Sequence, residues 1–483
     1  MILLGPVYAG LLGLLALHGA HRWWLVARAL RAAPVPEPEL RSELPTVTVQ
    51  LPVYNEPAVV ARLVDAAAAL DWPRDRFEVQ LLDDSTDDTA ERAAPAVARA
   101  RAAGVRVSVL RRADRAGFKA GALAAGLAQA SGELIAVFDA DFVPSPDFLR
   151  RLVPHFGDPA VGMVQARWGH LNPDASVLTR GQSRLLDAHF RVEHRGRHGA
   201  GCWFNFNGTA GVWRRAAIDA AGGWAGDTLT EDLDLSYRAQ LAGWRFVYRD
   251  DVVVPAELPE TMTAFLAQQR RWARGSVQTF RKLGRRLLVA DAPLRLRAEA
   301  LHHLSSNLAW PLALAVSGML PLLAAGRGPG GGLLDSLGTV AFVAASGSHA
   351  AFLLAAGRAR RGDVALALVL ALGLAWSQSV AAVAGLLGPV GTFVRTPKLG
   401  GVAARGRGGE RSVPVELGLA LWQGYGIFAA ITAGNLRALP FLLWFFLAYG
   451  WVAWGRLGFG QAAAVRVDQP LDVPGPGLGI PGG

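Results

Sequence analysis

At 483 residues the chain is too long for one ordinary hydrophobic core, so two or three structural units are expected. Hydrophobic residues make up 52% and charged residues only 18%, below the roughly 25% of soluble domains, which points to a chain partly in lipid. The net charge of +10 suits an anionic membrane surface and a phosphorylated substrate; no nucleic-acid motif is present, and the single cysteine, Cys202, excludes an internal disulfide framework and a Cys-based zinc site.

Residues 2–20 contain no acid, Lys or Arg, and Trp23 and Trp24 follow at an interfacial position. Arg22, Arg28 and Arg31 come after the apolar run, whereas a cleaved signal peptide wants its positive charge before it. The segment 1–27 is therefore expected to be a retained transmembrane helix whose end faces the cytoplasm. Residues 28–45 read as a linker, with a Pro-rich stretch at 33–40.

Residues 46–260 read as an α/β domain. The runs TVTVQLPV, FEVQLLDD, VRVSVLRR and ELIAVFDAD are apolar and end in polar residues, as buried parallel strands do. Ala-rich helical stretches such as 58–70 and 88–103 lie between them, so a parallel sheet with helices on both faces is expected. Sites in such sheets lie beyond the carboxyl ends of the strands. Asp83, Asp84, Asp139 and Asp141 fall there.

Residues 261–300 are basic and amphipathic and suit helices in the headgroup plane. The region 301–460 carries apolar runs at 304–325, 333–356, 363–388, 415–433 and 438–455. Basic loops on both sides of 363–388 predict that this run is bent or re-entrant, leaving five full spans; six plain spans is the alternative. The tail 461–483, rich in Pro and Gly, is expected to be disordered.

Several residues carry candidate chemistry. Asp139 and Asp141, two apart at a strand end, can face one hard cation that bridges a diphosphate, although a lone DxD is more often a polar turn. Asp83 or Asp84 can accept bonds from a nucleobase or support the metal, with helix capping by Ser85 or Thr86 as the plain reading. Lys119 can contact phosphate as a point charge. Glu231 and Asp232 begin a predicted helix after Thr230, and Asp232 is the candidate general base. Gln268, Arg271 and Trp272 form QxxRW and share one helical face. The Arg suits a leaving diphosphate and the Trp offers a flat face for a sugar ring; an interfacial Arg/Trp belt is the plain alternative.

These features occur in one order: DD, K, DxD, TED, QxxRW, then apolar spans. With the phrases VQLPVYNE (49–56), LDWPRDRFEVQLLDDSTD (70–87), GFKAGAL (117–123), FDADFVPSPDFLRR (138–151), VQARWGHLN (164–172), FNGTAGVWRRAAIDAAGGW (206–224), TEDLDLSYRAQLAGWRFVY (230–248) and QQRRWARG (268–275), the sequence resembles the processive family 2 glycosyltransferases of the cellulose synthase superfamily. The wording is most similar to the cellulose-synthase-like A and C proteins, which make mannan or glucan backbones. The likeness is dense over 46–285. FVRTPK (393–398) resembles the FxVTxK gating loop of that group but has Arg395 in place of Val.

The resemblance implies a GT-A fold inserted between transmembrane helices. It implies donor binding at Asp83, Asp84, Lys119 and Asp139, and Mg2+ or Mn2+ at Asp139 and Asp141. Asp232 would be the base, with Glu231 and Arg271 beside it, and Gln268 and Trp272 would meet the acceptor. The expected activity is inverting transfer of a hexose from UDP-glucose or GDP-mannose to a β-linked, 1,4-type polysaccharide. A non-processive glycolipid synthase acting on a lipid acceptor is the second reading, and a non-catalytic membrane scaffold a remote third. The expected location is the inner membrane, with residues 33–290 on the cytoplasmic side, among membrane lipids and with accessory subunits left open.

Overall fold

A computed structural model of the chain describes residues 4–40, 42–325, 333–357, 361–391 and 414–458. FVRTPK and the tail 461–483 lie outside the described residues.

Seven strands form one sheet: β1 (Val47–Val53), β2 (Phe77–Asp83), β3 (Arg106–Leu110), β4 (Leu134–Val137), β5 (Val161–His170), β6 (Gly211–Arg214) and β7 (Arg245–Ala256), in the order β3-β2-β1-β4-β6-β5-β7. The four strands expected from the sequence are β1 to β4, and they run parallel. The expectation of an all-parallel sheet is corrected by β6, which is antiparallel to both β4 and β5. β6 is four residues long and carries no periodicity to read, and its direction is set by pairing from Gly211 opposite Val137 to Arg214 opposite Leu134. That reversal presses the loop 207–209 against the end of β4.

The apolar runs of β1, β2 and β4 are buried on both faces. One core lies between the sheet and the helices Val60–Ala68 and Thr89–Ala102; the other packs the helix Phe118–Gln129, Trp213 and Trp224 on the opposite face. Trp213 is fully buried against Phe206 and Phe246, as a packing residue. The strand order reverses between β1 and β4, and the crevice at that switch point is where such sheets bind ligands.

The N-terminal helix Leu4–Arg31 runs four residues into the stretch expected to be linker. It packs along Leu333–Ala355 and Ala309–Ala325. Among the described residues three helices are long and apolar enough to cross a membrane: Leu294–Ala325, Val415–Thr432 and Leu436–Arg456. Leu4–Arg31 is not one of them, because Pro6, His18 and His21 dilute its apolar stretch. The run 363–388 is broken at Leu374 into Gly362–Gly373 and Ala375–Leu387, bent by 47°, where the loop charges predict a bend; counted as one span, the pair brings the total to four. The helix Met262–Leu288 packs on Ala375–Leu387 and seats the α/β domain on the helical region. The boundary drawn at residue 300 cuts a continuous rod, since Leu294–Ser305 passes through a 3-10 turn into Ala309–Ala325.

Candidate active site

Beyond the carboxyl ends of β1 and β4 lies an open cleft. Asp84, Lys119, Asp139, Asp141, Glu231, Asp232, Gln268, Arg271 and Trp272 all line it. These side chains span almost 190 positions of sequence. They arrive from the end of β2, the first turn of Phe118–Gln129, the end of β4, the first turn of Glu231–Leu241, and the middle of Met262–Leu288.

Asp83 is the exception. It is the last residue of β2, is buried, and accepts a hydrogen bond from Ser85 N at 2.9 Å, with Arg111 Nε 3.6 Å from its other oxygen. It is not among the residues that line the cleft, and through Ser85 it supports the turn that carries Asp84. Strand alternation is the reason: adjacent residues at a strand end point to opposite sides. Asp84 is gripped by Arg112, whose Nε donates to Oδ1 at 3.0 Å and whose Nη2 donates to Oδ2.

Lys119 Nζ donates to Asp139 Oδ1 at 2.5 Å and to the Gly208 carbonyl at 2.8 Å. Burial lowers the Lys119 pKa, but Asp139, Glu231 and Asp232 together push it above its ordinary value, so the ammonium stays charged. Gly208 has φ of 82°, and a Cβ there would come within 2.9 Å of Asp232 Oδ2. Only glycine allows this loop to pass between Lys119 and Asp232. Thr209 Oγ1 accepts from Asp139 N at 2.9 Å, which ties the same loop to the FDAD turn.

Asp232 accepts from Leu233 N at 2.9 Å. Burial raises its pKa, the Glu231 carboxylate raises it further, and Lys119 and Arg271 oppose both; the result is about 7. A carboxyl at that value is placed to exchange a proton near neutral pH. Asp139 and the buried Asp141 bring two hard oxygen donors to the same cleft from one turn. Two carboxylates with room for further oxygens fit Mg2+ or Mn2+ and would suit no soft metal.

Residues that sequence reasoning left without a role also line the cleft. Glu56 follows β1 as Asp84 follows β2, so an acid just past an apolar strand was the signal available. Tyr54 receives the Arg115 guanidinium 3.2 Å above its ring. Trp168 stands 6.3 Å from Trp272 between ring centroids and packs on Phe142 and Phe190, which extends the aromatic wall. Asn207, Glu257 and His170 also line the cleft, and nothing in their spacing marked them out.

Residues 45–275 match the model of a family described as glycosyltransferase like family 2. Over 255 residues, 52% of this chain, the sequence is 46% identical to the probable glucomannan 4-beta-mannosyltransferase 7 of Oryza sativa subsp. japonica, of which it covers 44%. It is 45% identical over 247 residues to the glucomannan 4-beta-mannosyltransferase 2 of Arabidopsis thaliana, a match that covers 50% of this chain and 46% of that one. The chain spans about half the length of the curated relatives it matches. Among solved structures, a mannosyltransferase from Pyrobaculum calidifontis in complex with GDP-Man and Mn2+ aligns with a TM-score of 0.55 at 25% identity, covering 80% of this chain and 99% of that one.

Proposed function

We propose that the protein, whose residues 45–275 match glycosyltransferase like family 2 and fold as a GT-A domain, is a membrane-embedded inverting hexosyltransferase that extends a β-1,4-linked polysaccharide from a nucleotide sugar. The observation that carries this reading is the convergence of Lys119, Asp139, Asp141, Asp232, Gln268, Arg271 and Trp272 on one cleft. GDP-mannose is the preferred donor over UDP-glucose, because both plant relatives and the solved neighbour are mannosyltransferases.

Asp139 and Asp141 would hold the divalent metal, which when bound supplies counter-charge to the donor diphosphate. Asp84, clamped by Arg112 in the cleft wall, would contact the donor. Lys119 adds a fixed positive charge. Asp232 accepts the proton of the acceptor hydroxyl as that oxygen bonds to the anomeric carbon. The bond from that carbon to the nucleoside diphosphate breaks on the opposite side, and the configuration inverts. Arg271 offsets charge that develops on the departing group; such prepared charge is usually the largest catalytic contribution. Trp272 and Trp168 offer flat apolar faces on which a sugar ring can rest and slide.

The catalytic cleft is assigned to the cytoplasmic side, the side to which Arg28 and Arg31 in the last turn of the first helix would point if that helix crosses the membrane. A reporter fused after residue 400 tests the bent arrangement of 363–388: a cytoplasmic signal supports it, and a signal from the far side refutes it. The reaction itself is tested with purified protein in lipid, supplied separately with labelled GDP-mannose and UDP-glucose, and with the product sized and digested. Polymer from GDP-mannose is the expected result. A single monoglycosylated lipid at every reaction time would transfer the reading to a glycolipid synthase. No transfer from either donor, with metal present, would sink both.

A further inference from the structure

The N-terminal helix and the rod Leu294–Ala325 carry between them a cluster of imidazoles that sugar transfer does not use. His18 and His21 stand three residues apart on Leu4–Arg31, and Glu299 and His302 stand three apart on Leu294–Ser305. At that spacing each pair projects from one helical face. Helix bundles use the same Glu-x-x-His spacing to aim a carboxylate and an imidazole at one metal. His21, Glu299 and His302 each present a ligand atom within 4.8 Å of the other two. His21 Nε2 lies 2.6 Å from Glu299 Oε2, and His302 Nε2 lies 3.1 Å from His18 Nδ1. Ring centroids are 3.8 Å apart for His21 and His302, and 4.9 Å for His18 and His302.

Hydrogen bonding alone accounts poorly for this packing. Two imidazoles, His21 and His302, converge on the Glu299 carboxylate, and its Oε1 is already taken by the buried Arg197 Nε at 2.9 Å. His302 Nδ1 is buried with no hydrogen-bond partner among the described residues, a state that costs free energy unless an ion or a water answers it. We propose that His21, Glu299 and His302 form a second metal site, with His18 as the outer partner of the His302 ring, which takes Zn2+ or a similar transition-metal ion and fastens the N-terminal helix to the base of the rod.

Imidazole donors suit Zn2+ and its neighbours, whereas the Asp139/Asp141 pair suits hard cations, so the two sites select different ions. In a tetrahedral zinc site with bonds of about 2.0–2.1 Å the ligand atoms stand about 3.4 Å apart. The His21–Glu299 pair needs to open by less than about 1 Å to reach that spacing, a movement within side-chain torsion. Arg197 already supplies the outer hydrogen bond that orients a ligating carboxylate. Glu299 is also the end of a chain of contacts that runs through Arg197, Glu193 and His189 to Asn207 in the cleft wall.

The test uses full-length, tag-free protein in detergent with Asp139→Ala and Asp141→Ala, which removes the carboxylate site from the count. After stripping with EDTA and dialysis against Zn2+, one zinc per chain is expected. Co2+ as a spectroscopic probe should give a saturable tetrahedral absorption at one equivalent, and Zn2+ should raise the apparent melting temperature. His21→Ala with His302→Ala should lose both signals, and His18→Ala should weaken zinc by about 10–100-fold, as loss of an outer partner does. Should the double histidine variant fail to fold, the Co2+ titration of the histidine-intact protein decides. No saturable spectrum and no retained zinc would mean a hydrogen-bonded histidine cluster only, and would overturn the proposal. None of these signals depends on sugar transfer, so the outcome is separate from that of the proposed activity.

Discussion

The Asp232→Asn variant should gain stability while it loses turnover. Burial and the Glu231 carboxylate carry the Asp232 pKa from 3.8 to about 7. The folded value therefore lies above the unfolded one. Below about pH 4 the carboxyl is protonated in both states and nothing is lost. Between about pH 4 and pH 7 the unfolded chain ionises first, so folding stability falls as pH rises, and above about pH 7 the full penalty applies. Three pKa units correspond to about 4 kcal/mol. Asp232 keeps partial solvent access at the cleft, so this figure is a ceiling. Asparagine keeps the shape without the charge. At pH 8, without metal or donor, its apparent melting temperature should exceed that of wild type by several degrees, given about 2–4 °C per kcal/mol for a domain of this size. At pH 5 the gap should shrink to somewhat under half, and at about pH 3 the two curves should nearly coincide. Turnover of Asp232→Asn at saturating donor should fall by about 10²–10⁴, the usual cost of a lost general base, and wild-type turnover should rise with pH through about 7. Equal melting temperatures at pH 8, or a gap that does not shrink between pH 8 and pH 3, would refute the electrostatic argument. Turnover within a few-fold of wild type would refute the assignment of the base.

Asp141→Ala should abolish turnover with the fold intact, and EDTA should silence the wild type; full activity after thorough EDTA treatment would remove the metal from the account. Arg112→Ala frees Asp84, and loss of hydrogen bonds to a charged group at about 1.5–3 kcal/mol should raise the donor KM about 10–100-fold while kcat changes little; a change confined to kcat would place Asp84 at the reacting atoms instead. Gly208→Ala puts a methyl group 2.9 Å from Asp232 Oδ2 at a φ of 82°, so turnover should collapse, with a loss in stability of about 1–2 kcal/mol from the backbone alone; normal kinetics would show that the loop yields freely. Trp272→Ala should shorten the polymer more than it weakens donor binding, as read by product sizing beside a donor-affinity measurement, whereas Trp213→Ala, a fully buried core residue, should lower protein yield.

The sequence alone determined the four parallel strands, the acids at their ends, and QxxRW on one helical face. Each is a local signal: a short apolar run, an acid where that run stops, and a spacing that matches the helical repeat. The charges flanking 363–388 suggested a run that is not one plain span, and the helix pair there is bent by 47°. Tertiary structure alone decided the rest. Asp83 and Asp84 are neighbours in the chain, yet strand alternation buries one and gives the other to the cleft. The direction of β6 depends on a partner more than seventy residues away, and it brings Gly208 between Lys119 and Asp232. The proton affinity of Asp232 is a property of the space around it, since burial and a like charge, both products of packing, hold it near neutrality. The four residues clustered between the first helix and the rod read as two unremarkable pairs until folding sets His18 and His21 beside Glu299 and His302, nearly three hundred residues on, because no local pattern records which helix will lie against which.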